Sequence, residues 1–342
     1  MRISVLRPPN FHVAILVVLF SLLCVMTGCT ETVPSLFWQE HWRMVGHLIG
    51  PEHTGRERED WIAVFNFPDN GEIVQLVSDQ VLAPDGWKPV TLYDVAYNED
   101  AGVLVCVALR YYPSEPRNRS EIWLYDLNTQ RSKWIGRRWL GASHFAWSGD
   151  GHRLAFLATE IPVRREPRRA GVYVYDLQTE TLTELADDGL VSYEPGQTGA
   201  PVWSDDGKFL YYASVDRYAM RIELATGHKE SFAVPAISIL AVNGDEIIYR
   251  TQPKQRGLGG EESIYKVKWG DSKTTLLYRG TWFVEMLVSP SRRFIMVTDR
   301  ISYSGTKYIL IDTETCNTYS GMGRYFPRNV DMFPRTSAFS RR

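Results

Sequence analysis

From residue 61 onwards the chain is written in short apolar runs broken by clusters of Gly, Asp, Asn, Ser and Pro. Trp61 to Phe67 and Ile73 to Val77, joined through Pro68-Asp69-Asn70-Gly71, form the first clear pair. Such runs bounded by turn residues predict antiparallel strands in hairpins. One phrase is then repeated. Phe145-Ala146-Trp147-Ser148-Gly149-Asp150-Gly151 leads into Leu154 to Ala158, and Pro201-Val202-Trp203-Ser204-Asp205-Asp206-Gly207 leads into Phe209 to Tyr212. Each copy is an apolar run closed by Trp, a Ser-x-Asp-Gly turn, and a second apolar run. Gly suits the turn because it accepts positive φ without a Cβ clash.

A second signature recurs further along each unit: Tyr125-Asp126-Leu127-Asn128-Thr129, Tyr175-Asp176-Leu177-Gln178-Thr179, Ile222-Glu223-Leu224-Ala225-Thr226 and Ile311-Asp312-Thr313-Glu314-Thr315. The acid and the Thr can cap amides within a turn. With both signatures aligned, each unit reads as four strands, a to d. Unit two has Asp94 to Tyr97, Val103 to Leu109, Ile122 to Asp126 and Ser132 to Ile135. Unit three has Phe145 to Trp147, Leu154 to Ala158, Val172 to Asp176 and Thr181 to Leu185. Unit four runs from Val202 to Phe232, unit five from Ile239 to Tyr278, and unit six from Glu285 to beyond Thr318. Repeated four-stranded units predict an all-β fold of β-propeller type. The count is six blades, with seven as the alternative, because 36–91 holds the least regular unit.

The Trp-Ser-x-Asp-Gly phrase together with the Tyr-Asp-Leu-x-Thr turn resembles the WD-like repeat of TolB-like propellers, over about 90–320. Units three and four carry the pattern best; Tyr97 and Val242 stand where the Trp is expected in units two and five. The resemblance implies a six-bladed periplasmic disc, with ring closure by a terminal strand that completes another blade.

The amino terminus changes the picture from a fold to an address. Arg2 and Arg7 precede an apolar run from Ala14 to Met26, which ends in Thr27-Gly28-Cys29. That is the layout of a secretory signal peptide and is too short to span a bilayer comfortably. Val25-Met26-Thr27-Gly28-Cys29 resembles a bacterial lipobox, with Met26 where Leu is usual. The resemblance implies cleavage before Cys29 and lipidation of its sulfur. Thr30 follows, rather than the Asp that tends to retain enteric lipoproteins in the inner membrane. The expected organisation is therefore a signal peptide over 1–28, a lipidated tether over 29–36, the propeller over 37–321 and a tail over 322–342. The expected location is the cell envelope, on the periplasmic side of the outer membrane if the source has one, with membrane contact through Cys29 only. The stretch around His41, His47 and His53 is expected to be an irregular lead-in; a spacing of six does not put two ligands on one helix face.

Composition adds little. Hydrophobic residues are 44% and aromatics 13%, enough for a large core, and the formal charge of −2 gives no global sign of a nucleic-acid partner. Cys24, Cys29, Cys106 and Cys316 are too scattered for a disulfide scaffold. No catalytic motif is present: Gly141-Ala142-Ser143 continues into His144-Phe145 and not into a nucleophile elbow. The repeated Trp, Asp and Thr are read as turn and core residues; no catalytic residue, no metal ligand and no cofactor are assigned.

Loop charge is sorted. In a propeller the a–b and c–d turns share one face and the b–c and d–a loops the other. The b–c loops carry a surplus of cations, including Arg110 and Arg250, and both sets of turns a surplus of acids. The cations concentrate in units two and three at Arg117, Arg119, Arg137, Arg138, Arg164, Arg165, Arg168 and Arg169, with Trp139, Tyr111 and Tyr112 as aromatic neighbours. Arg with Tyr and Trp is the composition of interface hot spots, and guanidinium groups suit carboxylate or phosphate. The function expected is a protein-binding or scaffolding module, not an enzyme. Its partner would be an envelope protein or an anionic envelope polymer, met through the basic b–c face. The alternative is a propeller enzyme, lactonase- or cyclotransferase-like, with a metal or acidic site in the central funnel. Asp94 and Glu285 are the acids available on the innermost strands.

Overall fold

A computed structural model describes residues 42–49, 60–67, 73–78, 91–110, 112, 118–160, 168–191, 199–251, 261–281, 283–289, 291–302 and 305–324. Every element among them is a strand. β1 (Trp42–Ile49), β2 (Asp60–Phe67) and β3 (Ile73–Ser78) form a three-stranded antiparallel sheet. The second sheet is β4 (Thr91–Asn98), β5 (Val103–Arg110), β6 (Arg119–Asp126) and β7 (Arg131–Trp139). The third is β8 (Gly141–Trp147), β9 (Arg153–Thr159), β10 (Arg168–Asp176) and β11 (Thr181–Val191). The fourth is β12 (Val202–Trp203), β13 (Phe209–Ala213), β14 (Tyr218–Glu223) and β15 (Lys229–Pro235). The fifth is β16 (Ser238–Asn243), β17 (Glu246–Thr251), β18 (Glu262–Lys268) and β19 (Thr275–Gly280). The sixth is β20 (Phe283–Val288), β21 (Phe294–Ser302), β22 (Gly305–Asp312) and β23 (Thr318–Arg324). Each of the last five is a four-stranded antiparallel meander in chain order, as the repeats predict.

Three boundaries differ from expectation. Part of the stretch expected as a lead-in is strand β1, which pairs with β2 from Trp42↔Phe67 to Ile49↔Asp60. β7 and β11 run on to Trp139 and Val191, so Arg137, Arg138 and Trp139 lie on a strand and not in a d–a loop. Cys29 and both termini lie outside the described residues, as do Arg117, Arg164 and Arg165.

The middle strands hold the sheets together. Their side chains alternate between two faces, and both faces are apolar. In β9, Leu154, Phe156 and Ala158 join the core shared with the second sheet, whereas Ala155 and Leu157 join the core shared with the fourth. β5 divides in the same way, with Val105 and Val107 on one side and Leu104, Cys106 and Ala108 on the other. β13 and β17 repeat the division through Tyr212 against Tyr211, and Ile247 against Ile248. Each buried aromatic or aliphatic side chain contributes about 1.5–3 kcal/mol. First strands of successive sheets also touch, β4 with β8, β8 with β12 and β12 with β16, so these lie innermost. Val95 and Phe145 on them are buried in the inter-sheet cores.

The repeated phrases build the turns. Ser148 Oγ accepts the Arg153 amide at 2.9 Å and donates to Asp150, which accepts the His152 amide at 3.0 Å. Ser204 and Asp206 repeat this with the amides of Phe209 and Lys208 at 2.9 and 3.0 Å. In the sixth sheet Ser291 takes the place of the acid, and Ser289 accepts the Phe294 amide at 3.0 Å. Gly151 and Gly207 have φ of 72° and 65°; the matching residue of the sixth sheet is Arg292, at 62°. In the c–d turns Asp126 accepts the amides of Asn128 and Thr129, and Asp176 those of Gln178 and Thr179. Part of the acid surplus on this face is thus turn-capping carboxylate.

Candidate functional site

The basic patch of the second and third blades is set by a bulge. β6 and β7 pair as Trp123↔Trp134 and then Glu121↔Arg138, with a register shift between. Gly136 carries the shift at a φ of 87°. A bulge lets consecutive side chains leave on the same side. Arg137 and Arg138 both face out, and Trp139 turns in.

Trp139 is therefore not part of a contact surface. It is 0% exposed and sits edge-on to Phe156 and Tyr173, at 5.6 and 5.7 Å, inside the core between the second and third blades. Arg110 is likewise no surface cation: it is buried, with Nε 3.0 Å from Glu121. Arg250 is fully buried and paired with Glu262 at 2.7 Å. The cation surplus of this face is accordingly smaller than the loop sequences suggest.

Glu121 organises what remains. Its buried carboxylate receives Arg138 Nε at 3.1 Å, Trp123 Nε1 at 3.1 Å and the Tyr112 hydroxyl, besides Arg110. Burial first, and then Glu121, push the Tyr112 phenol up to about 12, so it stays a donor. The Arg138 guanidinium lies 4.1 Å from the Tyr112 ring centre and 5.4 Å from that of Trp134, with 42% of its side chain exposed. Arg137 is equally exposed and stacks on Tyr173 at 5.3 Å. It is held by Glu160 and Glu184 at 3.5 and 3.8 Å. Arg119 shares Glu160 at 3.4 Å, and Arg169 pairs with Asp187 at 3.3 Å. Of the cations expected here, then, Arg119, Arg137 and Arg138 are gathered around three carboxylates, Glu121, Glu160 and Glu184, and Arg169 stands apart. Arg168 lies on β10, with its side chain outside the described residues.

The fixing carboxylates were not legible as such. Glu121 and Glu262 lie near the start of the third strands of their blades, and Arg110 and Arg250 near the end of the second; that recurring placement was the available signal.

The innermost strands carry the second candidate. Asp94 and His144 sit at bulges of β4 and β8, with φ of 51° and 65°. The Asp94 carboxylate accepts the His144 amide across the blade boundary, and Ser143 Oγ contacts His144 Nδ1. β16 and β20 bulge at the corresponding places, so the irregularity belongs to the fold. The Glu285 side chain lies outside the described residues, and among those described no three His, Cys, Asp or Glu side chains converge as metal ligands. Cys106 and Cys316 are free thiols, and burial pushes that of Cys106 up to about 12.

No family model matches the sequence, and no curated protein matches it. Solved structures do. The chain is similar to TolB from Acinetobacter baumannii, with a TM-score of 0.52 and 16% identity, covering 84% of this chain and 64% of that one. It is similar to the tricorn protease, with a TM-score of 0.55 and 14% identity, over 82% of this chain and 29% of that one. A third likeness is to a puromycin hydrolase, at a TM-score of 0.53 and 14% identity, over 83% and 46% of the two chains. The chain thus spans just under two thirds of the TolB structure and less than half of either hydrolase. At such identities the likeness is one of fold: the chain is an all-β, TolB-like β-propeller.

Proposed function

We propose that this propeller is a lipid-anchored binding module of the bacterial envelope, tethered through Cys29 and meeting an acidic protein surface or anionic envelope polymer through Arg119, Arg137 and Arg138. One observation carries the site. Arg138 is nearly half exposed and yet fixed, by Glu121 on one side and the Tyr112 and Trp134 rings on the others. A guanidinium held in place loses little rotamer freedom on binding, which favours it as an anchor. Its neutralising carboxylates make the patch selective for a partner that can share the donors and not merely cancel a charge.

The test is a crosslinked pull-down from envelope membranes, comparing wild type with Arg137→Ala/Arg138→Ala. Partners recovered by wild type and lost by a variant of unchanged melting temperature support the reading; identical recovery overturns it. Cys29→Ser should release the protein from the membrane fraction.

A second reading, catalysis in the funnel, is favoured by the Asp94–His144 contact, which places a carboxylate and an imidazole side by side on the innermost strands. Calcium or manganese binding lost in Asp94→Asn would favour it over the binding module.

A further inference from the structure

Between the fourth and fifth blades the rim is open. Phe232 and Pro235 of β15 and Tyr265 of β18 line a groove of about 540 Å³, with Tyr249 of β17 buried beneath Tyr265. The two tyrosine rings lie 5.8 Å apart and 23° from parallel. Asp271, in the exposed turn after β18, closes one end. The volume is in the range of ligand sites, about 300–1,000 Å³.

Three properties define the occupant. β15 is the last strand of its sheet, and its outer edge faces no strand of this sheet. Edge strands offer backbone donors and acceptors to an added strand. Lys229 and Pro235 stand at its two ends, where charge and a missing N–H restrict pairing to the short stretch between them. The walls are aromatic, which suits alternate side chains of an extended peptide. Finally, among the described residues of the lining Asp271 is the one ionisable acid and there is no Lys, Arg or His, and no described residue forms an ion pair with Asp271. Lys273 of the same turn is not part of the lining.

We propose that this groove docks an extended segment of a partner protein, added as a short strand along β15. A Lys or Arg of that segment meets Asp271, and its apolar or aromatic residues lie on Phe232 and Tyr265. The attraction to Asp271 is reinforced by the neighbouring rings, since a cation over an aromatic face gains further. This surface involves none of the arginines of the second and third blades, so it stands or falls separately from them.

The test is selection of random displayed peptides on the full chain, with Asp271→Lys as the counter-selection. Asp271 is exposed and unpaired among the described residues, so the reversal leaves the fold intact. Enriched peptides are expected to carry a Lys or Arg flanked by β-branched or aromatic residues and to slow amide exchange in β15. They should bind Asp271→Lys at least about tenfold more weakly, and lose binding when methylated on alternate backbone nitrogens. Failure to enrich any peptide on wild type over Asp271→Lys, or peptides that leave β15 exchange unchanged, would overturn the proposal.

Discussion

Arg292 Nη1 lies 2.6 Å from Asp205 Oδ1, joining two turns 87 residues apart. The same nitrogen donates to the Val242 carbonyl, and Nη2 reaches that of Trp203 at 3.4 Å. One guanidinium thus ties the inner turns of the fourth, fifth and sixth blades, from a residue that occupies a glycine position at a φ of 62°. A non-glycine residue there costs roughly 1–2 kcal/mol, offset by charge-assisted hydrogen bonds worth about 1.5–3 kcal/mol each. Arg292→Ala should lower the unfolding free energy by about 2–3 kcal/mol. Arg292→Gly loses the same bonds but relieves the backbone, and should be about 1 kcal/mol milder. Urea titration of both decides it; a Gly variant as unstable as the Ala variant would refute the strain.

Asp206 gives a pH dependence. The Lys208 amide, then the Ser204 hydroxyl, hold its carboxyl at about 2, below the ordinary 3.8. A lowered folded pKa contributes stability that is present above the ordinary value and lost as pH falls towards the folded one. Asp126, Asp150, Asp176 and Asp312 shift the same way. The protein should therefore lose stability between about pH 4 and pH 2. Asp206→Ala should cost about 1 kcal/mol at neutral pH and flatten the slope of the urea midpoint in that window. An unchanged slope would remove this carboxylate from the account.

Trp139 and Arg138 are adjacent in sequence and opposite in consequence. Trp139→Ala empties a core position and should cost about 3–5 kcal/mol. Arg138→Ala removes a half-exposed cation while Arg110 still faces Glu121, and should cost about 1 kcal/mol or less. Denaturant unfolding of the two variants separates core from surface; equal losses would contradict the placement.

The Arg250–Glu262 pair tests burial of charge. Arg250 is fully buried and loses basicity to desolvation, against the pull of Glu262. Arg250→Met leaves that carboxylate uncompensated and should cost about 3–5 kcal/mol. Arg250→Met/Glu262→Leu should recover part of this, short of all, because Glu262 also accepts the Phe283 amide at 2.8 Å. A double-mutant cycle reads the coupling, and a double variant worse than the sum of the singles would reverse its sign.

The turns were the legible part of this chain, because their chemistry is local: Ser204, Asp206 and Gly207 act within a few residues of one another. The strand order followed from them. β1 was not legible, because Val45 and Ile49 on one face and Gly46 on the other break the apolar–polar alternation that marks a half-buried strand. The patch was legible in its cations alone. Arg137 and Arg138 read as loop residues because the bulge at Gly136 hides the strand that carries them. Trp139 read as surface because its burial depends on Phe156 and Tyr173 of the next blade. Partners distant in sequence leave no local trace, and for the same reason Arg292 passed for an ordinary turn residue.

The two-sided middle strands also determine where the chain tolerates change in length. Adding one residue within β9 would exchange its faces, sending Phe156 towards the fourth blade and Leu157 towards the second. Both neighbouring cores would then be mispacked at once, so insertions there should be purged whatever their chemistry. Insertions between the second and third strands of a blade alter no register and cost only slowly growing loop entropy. Variation in length is thereby channelled to the single face from which the exposed arginines project.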